Sequence, residues 1–457
     1  MDSTPISQIL NKTEESLSKE LFGLSEYRQR QVLYAELNTV AYELLAAPAQ
    51  LSHLVLISDR QWVDKERKLV GDLCKYYGVN SPSDHSNDYS IDFGTLRFRW
   101  ERHTEYSTYT FYCEGPFEKP FNETAVQLVP SEWLASLPGE ILIAIHVALD
   151  DRSRPKRSLT ELASLFSSNT VIGSRVAGGS ASVWSDNQIH NDGFGRILIH
   201  DENLRSRQVG RLVQRLLEIE TYRMMAMLPV PLVRQIIPQL ARADQRLATL
   251  ISQRLATLIA NNIEMVNIED EQQLLDELTK LASEIERLSA QTGHRINASR
   301  AYYDIVKLRV AELREERVEG LQMLQEFMEQ RLSSAMGTCE LVHTKLETLS
   351  LRVARASDLL RTRVDISMEA QIRDLLRSMD NRAHLQLRLQ ETVEGLSVVV
   401  LSYYLLGIVS YGLKAVKAAG LAVNVELVTG IAIPVVVVGV FFAIKSLRRM
   451  VSKIGRN

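Results

Sequence analysis

The sequence predicts an α+β domain, a long-helix stalk after it, and a C-terminal hairpin of two transmembrane helices. Three observations carry this reading. Residues 395–413 and 427–444 run nineteen and eighteen residues without a charge, and a spanning helix needs about 20 predominantly apolar residues. Eleven of the twelve prolines lie at or before Pro238, the next is Pro434, and the 195 residues between contain none. Proline disrupts a helix interior by about 3 kcal/mol or more, so that stretch is free to form very long helices. The first two hundred residues instead alternate short apolar runs with turn-forming clusters, the pattern of strands.

The elements follow in order. Residues 1–50 contain an amphipathic helix over 16–45, ended near Pro48. Residues 51–203 form the sheet domain. Apolar or alternating runs at 53–58, 96–103, 106–113, 140–149, 170–176, 181–184 and 196–200 read as strands of a mainly antiparallel sheet, with helical patterns at 61–77 and 158–167. Gly178-Gly179 and Asn191-Asp192-Gly193 supply turns. Residues 204–336 are helical: about 204–227, ended by Pro229-Val230-Pro231, then 232–262, then 270–319. The heptapeptide QRLATLI occurs twice in the second of these, at 245–251 and 253–259.

The stalk helix covers 337–394. Leu346, Leu349, Val353, Ala356 and Leu360 recur at steps of three and four, and Val364, Met368, Ile372, Leu375 and Met379 continue mostly at four. Arg352, Arg355, Arg361, Arg363, Arg373 and Arg377 fall largely off that face. An apolar helix face of this kind predicts self-association. The stalk runs directly into the first span of the hairpin, 395–446, and residues 447–457 are a basic tail.

Charge orients the hairpin. After Ile444 come Lys445, Arg448, Arg449, Lys453 and Arg456 with no acid, while the connecting loop holds only Lys414, Lys417 and Glu426. Lys and Arg are in excess on cytoplasmic flanks, so both termini and the sheet domain are expected in the cytoplasm. Met1 to Glu20 lacks the apolar core of a secretory signal. Cys74, Cys113 and Cys339 form no CxxC pair, as expected of reduced thiols. Before Gly395 the chain carries 46 basic and 55 acidic residues, a net charge of −9, which argues against a nucleic-acid-binding body.

Chemistry-bearing motifs are sparse. The nine histidines form no HExxH or HxxxH pair, and neither GxxxxGK[ST] nor GxGxxG occurs; no catalytic residue and no cofactor is expected. Two polar clusters remain. Glu101, His103 and Glu105 share one strand face because side chains alternate; they could bind a cation, hold a proton, or make cross-strand ion pairs on a solvated face. Asp186, His190 and Asp192 surround a turn, which suits either a metal site or Asx-turn bonding. The spans contain no Asp, Glu, His or Arg, which argues against a proton-coupled transporter. Along the first span Tyr403, Gly407, Ser410 and Lys414 form a stripe at 4-3-4 spacing, with Tyr411 and Gly412 beside it. Small and hydroxyl residues on one face suit close helix packing or a pore lining.

Several runs resemble a known family. They are WERHTEYSTYTF (100–111), WLASLPG (133–139), VAGGSASVWSDNQIHNDGFGR (176–196), GRLVQRLLEIETYRMMA (210–226) and LQLRLQETVEGLSVVVLSYYLLGIVSYG (385–412). Over about residues 30–449 the chain resembles the bacterial membrane-anchored proteins grouped as domain of unknown function 3422. The resemblance implies a two-pass protein of the bacterial inner membrane and carries no activity. Where an ELHARP-like run is expected of the family, this chain reads Glu36-Leu37-Asn38-Thr39-Val40-Ala41.

The layout is also similar to that of CorA-type magnesium channels, which would imply a pentamer. Their first span ends in a cation-selecting Tyr-Gly-Met-Asn run; here the matching place reads Tyr411-Gly412-Leu413-Lys414. A ring of Lys414 would repel a divalent cation. Two functions therefore stand: a non-enzymatic, homo-oligomeric, membrane-anchored scaffold, or a CorA-like ion channel or transporter with altered selectivity. Both take the lipid bilayer and further copies of the chain as partners.

Overall fold

The computed structural model describes residues 20–21, 24–25, 27, 29–30, 33–34, 42–83, 86–260, 268–418 and 425–454. The helix expected over 16–45 lies largely outside these residues. Among the described ones, β1 (Glu20–Leu21) pairs antiparallel with β2 (Leu24–Ser25), so no helix runs through that part. The run at 36–41 also lies outside them.

Nine further strands form one sheet: β3 (Ala49–Ile57), β4 (Asp88–Asp92), β5 (Arg97–Arg102), β6 (Tyr106–Glu114), β7 (Glu140–Asp150), β8 (Ile172–Val176), β9 (Ala181–Ser185), β10 (Gly195–Asp201) and β11 (Glu316–Arg317). Their order is β11-β8-β9-β10-β7-β3-β6-β5-β4. Every neighbouring pair is antiparallel except β7 and β10. The seven expected strands are all present. Sequence reading missed the two edges, β4 and β11. Asp88 and Asp92 close β4 with acids and its side chains stay largely exposed, as is usual for a protected edge, while β11 is only two residues long.

One face of the sheet carries the aromatic core. Phe98, Trp100, Tyr109 and Phe111 are fully buried with Leu54 and Leu56 against Val70, Leu73 and Cys74 of α1 (Val63–Tyr76). Trp133 of α2 (Ser131–Ser136) stands edge-on to Phe98, Tyr109 and Phe111 at 6.0–6.3 Å and donates its indole N–H to Leu69 O at 2.7 Å. On the same face, Leu162 of α3 (Leu159–Leu165) packs with Phe117, Phe121, Phe166, Trp184 and Leu198. Ser158 and Glu161 start α3 as a capping box. Trp184 fits because residue 173 is glycine: a Cβ there would lie 2.4 Å from the indole.

The other face is covered by helices later in the chain. Leu216 and Ile219 of α4 (Ser206–Met227) meet Val183 and Ile197. Gly210 lets the chain cross α4 closely, since a Cβ would sit 1.9 Å from Glu43 O. Next come α5 (Val230–Ala260) and α6 (Ile268–Leu313), then β11, then α7 (Leu324–Ala418) and α8 (Val425–Ile454). The start of α7 is set by Glu315, whose carboxylate accepts the N–H groups of Leu324 (3.3 Å) and Gln325 (2.8 Å) and the Ser174 hydroxyl (2.7 Å). This satisfies orphan donors in the first turn.

The chain divides into two compact units, residues 1–254 with 278–355 and residues 255–277 with 356–457. Sheet and first helices thus share a unit, rather than parting at 203/204. In the first unit Leu346, Leu349 and Val353 of α7 are buried, as are Leu240 and Leu247 of α5 and Leu281 and Leu288 of α6. Arg352 pairs with Asp244 at 2.7 Å. This corrects the sequence reading: the first part of the apolar stalk face is covered within the chain. In the second unit Leu360 and Val364 are buried, but Met368, Ile372, Leu375 and Met379 are exposed.

A buried charge network fixes α1 to the sheet. Glu66 of α1 is 0 % exposed and the Arg102 side chain only 4 %. Arg102 donates from Nη1 to Glu66 Oε1 and to Ser107 Oγ, both at 3.1 Å, and from Nη2 to Ser58 O at 3.0 Å. The Ser107 hydroxyl donates to Glu66 Oε2 at 2.6 Å, and Ser58 donates to Oε1. Removing one partner of such a pair strands the other charge, at a cost of about 3–5 kcal/mol, whereas an apolar pair of similar volume is close to neutral. Glu66→Leu should therefore lower Tm sharply, and adding Arg102→Met should recover most of the loss. Thermal unfolding followed by near-UV circular dichroism of the Trp100 and Trp133 environment checks this; equal Tm values for Glu66→Leu and wild type would remove the network from the account of stability.

Candidate functional site

The Glu101, His103 and Glu105 cluster does not converge on a common point. Glu101 is engaged by Arg99 at 2.8 Å, within a network that also holds Glu43 and Arg97. Glu105 is engaged by Arg295 of α6 at 3.0 Å. His103 instead lies flat on the Tyr106 ring, centroids 4.3 Å apart. Burial holds its imidazole below the ordinary value, with Arg102 and Arg99 adding to the effect and Glu101 opposing it. The two carboxylates are thus held by separate arginines, one on the same strand and one on α6, and not by cross-strand pairs, and β5 ends at Arg102, before His103 and Glu105.

The second cluster is brought together in part. Asp186 Oδ2 and His190 Nε2 lie 2.9 Å apart and both side chains are buried, although the ring nitrogen is not aligned for a hydrogen bond. Asp186 accepts from Asn169 Nδ2 (2.7 Å) and from Gln188 N (3.2 Å), the latter an Asx-type bond. Asp192 turns away, accepting from Phe194 N at 3.0 Å and pairing with Arg196 at 3.5 Å. Burial raises the Asp192 carboxyl, but these two partners outweigh it and leave the group below its ordinary range. Among the described residues no three His, Cys, Asp or Glu side chains are arranged to hold a metal ion.

Two buried histidines that the sequence did not single out sit in the middle of the sheet. His146 of β7 stacks on Phe194 at 3.9 Å, and its Nδ1 shares a hydrogen bond with Ser52 Oγ at 2.9 Å. Ser52 is fully buried and also accepts from Val126 N, so this pair is closed to substrate. His53 shares a 2.8 Å hydrogen bond with Thr110, and its Nε2 has no partner. Both imidazoles are kept neutral by burial, His146 at about 4 and His53 at about 3.

A groove of about 740 Å³ opens beside His103. Tyr106 of β6, Tyr222 of α4 and Tyr302 of α6 wall it, Arg102, Thr104 and Asn87 provide polar edges, and Val63 and Ile305 close the rim. Tyr222 and Tyr302 stack at 5.7 Å. Burial raises all three phenols above their ordinary value, so they stay protonated. The groove could not be read from sequence because its tyrosines are separated by 116 and 80 residues, although Tyr106 falls in the run at 100–111 and Tyr222 in that at 210–226.

In the second unit the stripe of Tyr403, Gly407, Ser410 and Lys414 is unevenly covered: Gly407 and Ser410 are half-buried, like Leu406, Val409 and Leu413. Tyr403, Tyr411, Gly412 and Lys414 are exposed, and nothing lies within 4 Å of a Cβ placed on Gly407 or Gly412. Lys414 Nζ stands 5.6 Å from the Tyr411 ring centre. Ser402 is buried, and with Leu406, Val409 and Leu413 it occupies the neighbouring face of α7, about 100° away.

The sequence profile of the family described as "Protein of unknown function (DUF3422)" matches residues 25–451. The chain belongs to DUF3422. No curated protein matches it. The match covers the sheet, the helices and both apolar segments of this DUF3422 protein, so the tyrosine groove and the stripe from Tyr403 to Lys414 both lie in the family's own region.

The two buried histidines make stability depend on pH. In the unfolded chain each takes up a proton near the ordinary 6.5; folded, they do so only near 4 and 3. The unfolded state therefore binds more protons between those values. Stability is fully present above pH 6.5 and falls as pH drops toward 4, with a slope of up to ~1.4 kcal/mol per pH unit for each histidine. His146→Gln should make Tm fall less steeply between pH 6.5 and 4 in differential scanning calorimetry. A slope equal to that of wild type would exclude His146 as a titrating group.

Proposed function

We propose that this DUF3422 protein is a membrane-anchored, homo-oligomeric, non-enzymatic scaffold whose sheet-bearing unit works in the cytoplasm. The observation that carries the proposal is the surface of the C-terminal helices. Three stretches are long and apolar enough to cross a membrane by length and composition: 206–253, 324–415 and 426–446. In the first, 39 % of the most apolar window is buried by the protein; in the other two the share is 6 %. Val399, Tyr404 and Ile408 on α7 and Ile431, Val435, Val438 and Phe442 on α8 are all exposed. Apolar surface exposed all round a helix suits lipid, not water. The basic residues after Ile444 support a cytoplasmic tail.

Self-association is supported by two faces in the second unit, the exposed stripe from Met368 to Met379 and the partly exposed one from Tyr403 to Lys414. A CorA-like channel is the second reading, and the latter stripe favours it, because Gly407, Ser410 and Lys414 could equally face a central pore.

Topology is the first test. In intact cells of a strain expressing the protein, a cysteine at Ala418 should react with a membrane-impermeant maleimide from outside, and a cysteine at Ser452 only after permeabilisation. Reaction at Ser452 with protection at Ala418 would reverse the orientation.

A second test separates scaffold from channel. Gly407→Leu places bulk at a small-residue contact, so in the scaffold it should reduce the subunit number found by light scattering in detergent, with no ion flux in liposomes from either protein. Flux from the wild type that Gly407→Leu abolishes would replace the scaffold with the channel.

A further inference from the structure

We infer that the groove walled by Tyr106, Tyr222 and Tyr302 binds an uncharged, planar nitrogen heterocycle of the nucleobase kind. The site lies wholly within the first unit and does not depend on the membrane proposal.

Shape gives the first argument. Three phenol rings from a strand and two helices enclose about 740 Å³, within the range of small-molecule sites. The rings are held in place before any ligand arrives. His103 stacks on Tyr106 and Tyr302 on Tyr222. Such preorganisation lowers the ordering cost of binding. Rigid aromatic walls favour a flat ring, because stacking is available to any π face.

Charge gives the second argument. Each ionised group around the groove already has its counter-charge: Arg102 on Glu66, Arg295 on Glu105, Arg99 on Glu101. A quaternary ammonium would find no free carboxylate, since Glu66, Glu101 and Glu105 are each held by an arginine. An anion would meet the negative faces of the tyrosines with no unpaired cation to hold it. A neutral ligand meets neither penalty.

Hydrogen bonding gives the third. Asn87 gives its amide oxygen to Arg67 at 3.0 Å, which leaves its NH2 to donate. The Thr104 hydroxyl and the His103 imidazole stand exposed at the same edge. Donors and acceptors at the rim with π surface behind them match a ring whose polar atoms lie on its edge.

The test uses the full chain in detergent and isothermal titration with adenosine, uridine, adenosine monophosphate and tetramethylammonium. Adenosine or uridine should bind saturably and more tightly than either charged probe. Tyr302→Ala should weaken binding by about tenfold, while Tyr302→Phe keeps the ring and should stay within about threefold. Thr104→Trp, a change at an exposed turn, should fill the groove and abolish binding without lowering Tm, which guards against Tyr302→Ala merely unfolding. The inference is overturned if neither nucleoside binds, if a charged probe binds more tightly, or if Thr104→Trp binds as wild type does.

Discussion

The position of α1, and with it the aromatic core, depends on the buried Glu66–Arg102 pair. Taking a carboxylate and a guanidinium out of water costs several kcal/mol per ion, and here the cost is offset by a full set of partners. Arg102 reaches Glu66, Ser107 and the Ser58 carbonyl, and Glu66 takes two serine hydroxyls besides. These groups come from the end of β3, the end of β5, the start of β6 and the first turns of α1. The pair is satisfied only when all four elements are in register. The same constraint fixes the Arg102 backbone at the edge of the tyrosine groove, so one network positions both the helix over the core and the mouth of the groove.

The strands were legible because their residues alternate or form short apolar runs, and those patterns survive in the folded sheet. What failed was partner choice. The strand carrying Glu101 ends at Arg102, so Glu105 lies in the turn before β6 and not on the same strand face, and the arginines come from Arg99, two residues before Glu101, and from Arg295, 190 residues after Glu105. No local pattern announces the second. Of the three residues around the second turn, Asp186 and His190 lie 2.9 Å apart, whereas Asp192 pairs with Arg196. The groove shows the same limit more strongly, since Tyr222 and Tyr302 sit on helices whose sequences read only as amphipathic.

The apolar face of α7 shows how one periodicity serves two environments. Steps of three and four run from Leu346 to Met379 with little change in residue type. Leu346, Leu349 and Val353 are buried and Met368, Ile372, Leu375 and Met379 are exposed. Periodicity reports that a face is apolar; it does not say whether helices of the same chain or another molecule cover it. Burial of this face stops after Val364, and the pattern continues past it. That continuation is the part of the stalk face still available for contact between copies.

Composition meets a comparable ambiguity at the membrane. By length and composition alone 206–253 also qualifies as a span, though it is less apolar than 426–446. The difference lies in where the apolar surface goes. On α4, Leu212, Leu216 and Ile219 are spent on the sheet face and Glu220 is buried beside Arg223, while Arg207 and Arg211 stay exposed. This is an amphipathic helix with a wide core-facing stripe, and its charges would be costly in hydrocarbon. On α8 between Leu427 and Ile444 no charge interrupts the surface, and among the described side chains of that helix Val440 alone is buried. Burying a helix of that kind requires an apolar environment that the described residues of one copy do not supply, which is the physical ground for proposing lipid as its surroundings.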